Sequence, residues 1–179
     1  MVDSAPELIR TDRLVLRKVA DGDLPAMVEI HGDPAANVFR PDRARSVDES
    51  VELFRIWLRD WAEHGIGYWA VEVAPAGGII GFGGLRVTVR DGERLLNLYY
   101  RFRPSAWGKG FASEMAAAAV SWAERAWPDH PVEIMTTTDN APSRRVAEKL
   151  GFAIVRSVRQ DGFTDVHMRR VGPESTHRP

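Results

Sequence analysis

The chain has 179 residues, 44% hydrophobic and 27% charged, with a formal net charge of −1 and no cysteine. That size and balance suit one soluble globular domain and lack the basic excess of a nucleic-acid binder. The absence of cysteine excludes disulfides, thiolate metal sites and a covalent thioester on the protein.

Arg13–Arg17 alternates polar and apolar residues, as a half-buried strand does. Helical spacing follows over Asp21–His31, with Asp23 as the expected N-cap and Pro25 in the first turn. Asn37–Arg45 reads as an irregular connection. Ser46 and Glu49 then have capping-box spacing. The helix they open carries Val47, Val51, Phe54, Trp57, Leu58 and Trp61 on one stripe, which is expected to pack the core. Gly65 and Gly67 end it.

Strands are expected over Tyr68–Ala74, Ile79–Val89 and Leu95–Phe102, separated by a Pro75–Gly78 turn and the hairpin signal Asp91-Gly92. Pro104–Gly110 breaks the pattern. An Ala-rich helix over Phe111–Ala126, a strand over Val132–Thr138 and a short helix over Pro142–Leu150 closed by Gly151 come next. Ala153–Arg159 and Phe163–Val171 form a closing hairpin through Asp161-Gly162. A meander followed by strand–helix–strand predicts an α/β (α+β) fold: a mixed, mostly antiparallel sheet of about 6–7 strands with helices on both faces. One domain over 1–179 is expected, with its core over 8–171 and a tail over 172–179. No apolar run approaches a membrane span and the first residues lack signal-peptide character, so a cytoplasmic location is expected. His31, His64, His130, His167 and His177 form no HxxxH or HExxH pair, so no metal is expected.

The chemistry-bearing segment is Trp107-Gly108-Lys109-Gly110, where a strand ends and a helix begins. The first amides of a helix have no intrahelical partner, and the macrodipole adds positive charge there. Two glycines let a backbone approach an anion closely, and they equally suit a plain turn. A Walker A loop is excluded, because Arg103 holds its first glycine position and Gly110 its Ser/Thr position. A dinucleotide fingerprint fails at Ser113, where its third glycine belongs.

Arg103–Glu114 closely resembles the cofactor motif of the GNAT acetyltransferase superfamily, and most of all its RimJ/RimL-like branch, which acetylates ribosomal-protein N-termini. Thr11–Arg17, Gly81-Phe82-Gly83-Gly84-Leu85 and Asn140–Phe152 resemble three further segments of that branch, in the same order. The resemblance implies an acetyl-CoA-dependent N-acetyltransferase whose cofactor strand, ending Tyr100-Arg101-Phe102, splays from the strand after it. Trp107, Gly108, Lys109, Gly110, Phe111, Ala112 and Ser113 would bind the cofactor, with the amides of Gly108–Ala112 on its pyrophosphate. Asn140 would hydrogen-bond the pantetheine arm and Ser143 would sit near the sulfur.

Direct transfer to a primary amine, of a protein N-terminus or a small molecule, follows from the absence of cysteine. The partner implied is that amine acceptor, met by a monomer or homodimer, with no nucleic acid or membrane involved. Two departures from the superfamily pattern stand out. Ala147 takes the position of a tyrosine acid, which leaves Ser143, beside Asn140, as the catalytic candidate. Asn97 takes the position of a glutamate base, which leaves Glu72, Asp139 or a water relay. Ser105 replaces a Gln/Arg of the loop motif. His31, Phe39, Trp69, Tyr99 and Phe163 are candidates for the acceptor site. A non-enzymatic acyl-CoA-binding module on the same fold is the alternative.

Overall fold

The computed structural model describes residues 4–75 and 77–171. The expected tail over 172–179 lies outside them. In chain order the elements are β1 (Leu8–Arg10), β2 (Leu14–Lys18), α1 (Leu24–Gly32), α2 (Val47–His64), β3 (Tyr68–Val73), β4 (Ile79–Arg90), β5 (Glu93–Phe102), α3 (Phe111–Ala126), β6 (Val132–Thr137), α4 (Ala141–Lys149), β7 (Phe152–Gln160) and β8 (Phe163–Arg170). They form one eight-stranded sheet in the order β1-β2-β3-β4-β5-β6-β8-β7. Every pairing is antiparallel except β5 with β6, which is parallel. The class is as expected and the sheet is larger. The additional strand is β1, three residues long and paired with β2 at the edge. Three residues are too few to show a period.

Local chemistry accounts for the helices. Ser46 Oγ accepts from the Glu49 amide (3.3 Å) and Glu49 returns a carboxylate oxygen to the Ser46 amide (2.8 Å), so α2 opens on a closed capping box. It ends at Gly65, which takes φ +64°. At α1 Asp23 holds the expected N-cap position but does not cap. Its carboxylate turns back to the Ala20 amide (2.9 Å) and to Arg17 (2.7 and 2.8 Å). An arginine within reach outcompetes a neutral amide for a carboxylate. The connection from α1 to α2 contains short 3-10 turns at Ala35–Asn37 and Pro41–Arg43, the second inside the expected irregular stretch 37–45.

The two faces of the sheet differ. On one, α1 and α2 enclose an aromatic cluster in which Trp57 touches His31, Tyr68, Phe82 and Tyr99 with ring centroids 5.2–6.1 Å apart. On the other, α3 buries Met115, Ala116, Ala119, Val120 and Ala123. The embedded glycines of β4 permit both. A Cβ on Gly83 would lie 2.6 Å from the Met115 methyl, and one on Gly84, at φ +134°, would overlap the Trp69 ring.

Pairing between β5 and β6 is limited to Leu96–Leu98 against Val132–Ile134. Beyond that point β6 turns to β8, while β5 keeps only β4 as far as Phe102. The sheet therefore opens at Tyr99–Phe102, beside the start of α3. Among the described residues, no helix is long and apolar enough to cross a membrane, and no group of three metal-ligating side chains occurs.

Candidate active site

The opening between β5 and β6 is a cleft of about 180 Å³ whose walls include Phe39, Arg40, Tyr99, Tyr100, Asn140 and Ser143. Alternation along β5 divides it. Tyr99 reaches His31 and Trp57 on the α1/α2 face, whereas Tyr100 reaches Ser143 of α4 on the other. A larger recess of about 320 Å³ at the β4–β5 turn is ringed by paired charges, with Glu133 held between Arg90 and Arg169.

At the end of the cleft the chain passes through Trp107–Gly110 into α3. Gly108 and Gly110 take φ +72° and +78°, the left-handed region that glycine enters without strain. A Cβ on Gly108 would meet nothing within 4 Å, so the space before the loop is open. Gly110 is the N-cap of α3 and supplies no side-chain cap. The caps of α2 and α4, Ser46 and Asn140, do supply one. The first amides of α3 thus face that open space with the positive end of the helix dipole behind them, which is the arrangement that holds a phosphate. Trp107 fixes the loop by donating from Nε1 to the Phe102 carbonyl (3.0 Å).

A strut from the far side of the sheet holds this cradle. Glu114 in the first turn of α3 accepts from Thr11 Oγ1 (2.6 Å), the Arg13 amide (2.9 Å) and Arg13 Nε (2.7 Å). Arg13 Nη1 donates to the Lys109 carbonyl (2.9 Å), and its guanidinium lies 4.8 Å over the Phe111 ring. Sequence reasoning gave Arg13–Arg17 only as a strand, with no sign of this second duty for Thr11 and Arg13. Its contacts span about a hundred residues, and no local pattern encodes them.

On the α4 side of β5, Asn140 caps α4 through Oδ1 to the Ser143 amide (3.1 Å). The Ser143 hydroxyl lies 3.0 Å from the Tyr100 phenol. Burial pushes the Tyr100 phenol up to about 12, so it stays protonated at neutral pH. Tyr100 entered the sequence reading for its backbone; the structure adds its hydroxyl. The two hydroxyls form a pair in the cleft, and Ala147 is fully buried in α4.

On the opposite side, Tyr99 lies 2.7 Å from His31 Nε2, and His31 Nδ1 lies 3.1 Å from the Met27 carbonyl. A carbonyl only accepts, so Nδ1 carries the proton and Tyr99 donates to Nε2. Burial, reinforced by the charge of Arg101, lowers the His31 pKa to about 3. Asn97 donates to the Tyr68 hydroxyl (2.8 Å). Asp165 is buried at the wall, bonded to Arg40 (2.9 Å) and Arg43 (3.3 Å).

Of the acceptor-site candidates, Phe39 and Tyr99 line the cleft. Phe163 packs beneath the Arg40 guanidinium at 4.6 Å. His31 and Trp69 are core residues, 1% and 0% exposed, and are not among the cleft walls. Glu72 is bound to Arg17 on β3, and Asp139 sits exposed in the turn after β6; neither lines the cleft. Arg40, Arg43 and Asp165 were missed, because their pairing joins the 37–45 connection to β8 across more than a hundred residues.

Comparison with known proteins bears on this geometry. The acetyltransferase (GNAT) domain family matches residues 13–153. The uncharacterized N-acetyltransferase YoaA of Bacillus subtilis is 25% identical over 81% of this chain and 82% of its own. A putative GNAT-family acetyltransferase from Bordetella pertussis superposes with a TM-score of 0.80 at 20% identity, covering 93% of this chain and all of that one. RimL, a ribosomal L7/L12 alpha-N-protein acetyltransferase solved in complex with coenzyme A, superposes with a TM-score of 0.73 at 19% identity, covering 91% of this chain and 96% of its own.

Proposed function

The chain belongs to the GNAT acetyltransferase family, and from that premise we propose that it moves acetyl from acetyl-CoA directly to a primary amine bound in the same cleft. The observation that carries this is the opening between β5 and β6, which runs from the Tyr100–Ser143 pair to the uncapped start of α3. The pyrophosphate rests on the amides of Gly108–Ala112, with Lys109 nearby, and Trp107 and Ser113 flank it. The pantetheine amides pair with the free edge of Tyr100, Arg101 and Phe102 and with the Asn140 side chain. RimL is a ribosomal-protein alpha-N acetyltransferase; that likeness favours a protein α-amine as one acceptor, and a small-molecule amine is the other.

In the reaction the amine nitrogen attacks the thioester carbonyl. A backbone N–H of the open β5 edge near Tyr100–Phe102 stabilises the oxyanion. The C–S bond breaks, the proton lost by the nitrogen ends on the departing sulfur, and coenzyme A leaves as the thiol while the Ser143 hydroxyl hydrogen-bonds that sulfur. With no cysteine in the chain, no thioester forms on the protein.

The test is thiol release from acetyl-CoA over a panel of amines and peptides, with products one acetyl group heavier identified by mass. Acetyl-CoA binding without turnover on any acceptor overturns the proposal. The cradle has its own test in Gly108→Asn. Asparagine tolerates positive φ, and its side chain extends into the open space before the loop. Acetyl-CoA is expected to bind about tenfold more weakly, a loss of about 1.4 kcal/mol, with the urea midpoint shifted little. Unchanged affinity by calorimetry refutes the placement.

A further inference from the structure

Arg101 projects from β5 into the cleft on the α1/α2 face, two residues beyond Tyr99 on the same face and with its guanidinium 5.9 Å from the Tyr99 ring. Its partner is the side-chain oxygen of Asn37. Asn37 is buried and rigidly oriented, because its Nδ2 donates to the carbonyls of His31 (3.1 Å) and Asp33 (2.8 Å). That leaves only Oδ1 to face Arg101. The other cations of the wall are paired: Arg40 is shared between Asp42 and Asp165, and Arg43 also reaches Asp165. Among the described residues no carboxylate reaches Arg101. A guanidinium has five N–H donors in a fork that fits a carboxylate, and Asn37 engages the Nη1 end of this one.

We infer that Arg101 receives a carboxylate of the acceptor, so that the substrate is a primary amine carrying a carboxylate within a few bonds of the nitrogen. This rests on the acetyl-transfer proposal above. Two sources present that chemistry, a free amino acid and a peptide whose first residue is acidic. The same site rejects polyamine-like acceptors, whose second cation would face Arg101 with no carboxylate to offset it. Tyr99, whose hydroxyl is committed to His31, lines the cleft beside Arg101. The carboxylate is thus held at Arg101, on the Tyr99 side of the cleft.

The experiment measures kcat/KM with acetyl-CoA for glycine, L-phenylalanine, L-aspartate and L-glutamate against their carboxamides. It does the same for peptides beginning with Asp or Glu against those beginning with Asn or Gln. The native chain is expected to favour the carboxylate member of at least one series by thirtyfold or more, about 2 kcal/mol. Which series shows the preference identifies the source. Arg101→Gln is expected to bring the two members within about threefold, mainly through KM, and Arg101→Lys to restore part of the preference. Equal use of both members by the native chain, or an undiminished preference in Arg101→Gln, overturns the inference. Calorimetric titration of the coenzyme A-loaded protein with the same amino acids and peptides reads the site without chemistry. If no acceptor turns over, carboxylate-selective binding that Arg101→Gln abolishes still supports the anionic subsite while the transfer proposal fails. Absence of carboxylate-selective binding and of turnover sinks both.

Discussion

Ser143→Ala is expected to lower kcat for acetyl transfer about a hundredfold, with KM for acetyl-CoA changed only a few-fold. Loss of one well-placed donor to charge developing in a transition state costs about this much. The Ser143 hydroxyl is oriented from both sides. Its amide is tied to Asn140, and its oxygen lies 3.0 Å from the Tyr100 phenol. If Tyr100 donates to that oxygen, the Ser143 hydrogen is left to point at the departing sulfur. Magnitudes decide how far the proton moves. Tyr100 is pushed up to about 12, whereas a thiol such as that of coenzyme A ionises near about 8.5. Net transfer from the phenol to the thiolate is uphill by several pH units. The pair therefore acts by hydrogen bonding, and the proton that ends on sulfur derives from the acceptor amine. Tyr100 acts through Ser143 as a positioning residue, so Tyr100→Phe is expected to lower kcat about tenfold. The double variant is expected to be no slower than Ser143→Ala alone. Fully additive losses would show that the two hydroxyls work independently and refute the pair. A KM effect on acetyl-CoA with kcat preserved would reduce Ser143 to a binding contact.

How much of this was legible in the sequence depends on the distance over which each feature is encoded. The Ser46–Glu49 box, the Gly65 stop and the Asp91-Gly92 and Asp161-Gly162 turns are written within a few residues, and each appears where it was expected. The two-residue alternation of a strand over Leu95–Phe102 sets Asn97, Tyr99 and Arg101 on one face. It gave no sign that Arg101 would meet Asn37, or that Arg40 would meet Asp165, since those partners lie on other elements. Asp23 illustrates the same limit at short range. Its position is that of an N-cap, and an arginine on the preceding strand takes its carboxylate instead. The cradle is the intermediate case. Its glycines were visible, while the Thr11–Arg13–Glu114 strut that fixes it was not. The proton-handling groups were least legible. Asn97 and Ala147 showed only which residues were missing, and the Tyr100–Ser143 hydroxyl pair joins β5 to α4 across the cleft.

Stability is expected to fall as acid is added, and His31 sets a large part of that slope. The ring is 1% exposed and its pKa is lowered from 6.5 to about 3, by burial first and then by the charges of Arg101 and Arg45, against the opposing Met27 carbonyl. Above pH 6.5 the imidazole is neutral in both the folded and unfolded chain, and its contribution is constant. Between about 6.5 and 3 the unfolded chain takes up a proton that the folded chain refuses. Stability there declines by at most about 1.4 kcal/mol per pH unit, and the loss is complete below the folded value. By pH 5 the decrement is about 2 kcal/mol. His31→Gln removes the titrating group while keeping a neutral polar side chain beside Tyr99. Urea unfolding at pH 7, 6 and 5 should therefore show the native chain losing about 2 kcal/mol more than the variant over that interval, even though the variant starts less stable at pH 7. Parallel acid slopes for the two chains would mean that His31 is protonated in the fold. Tyr99 could then no longer donate to Nε2, and the hydrogen bond between them would have to reverse.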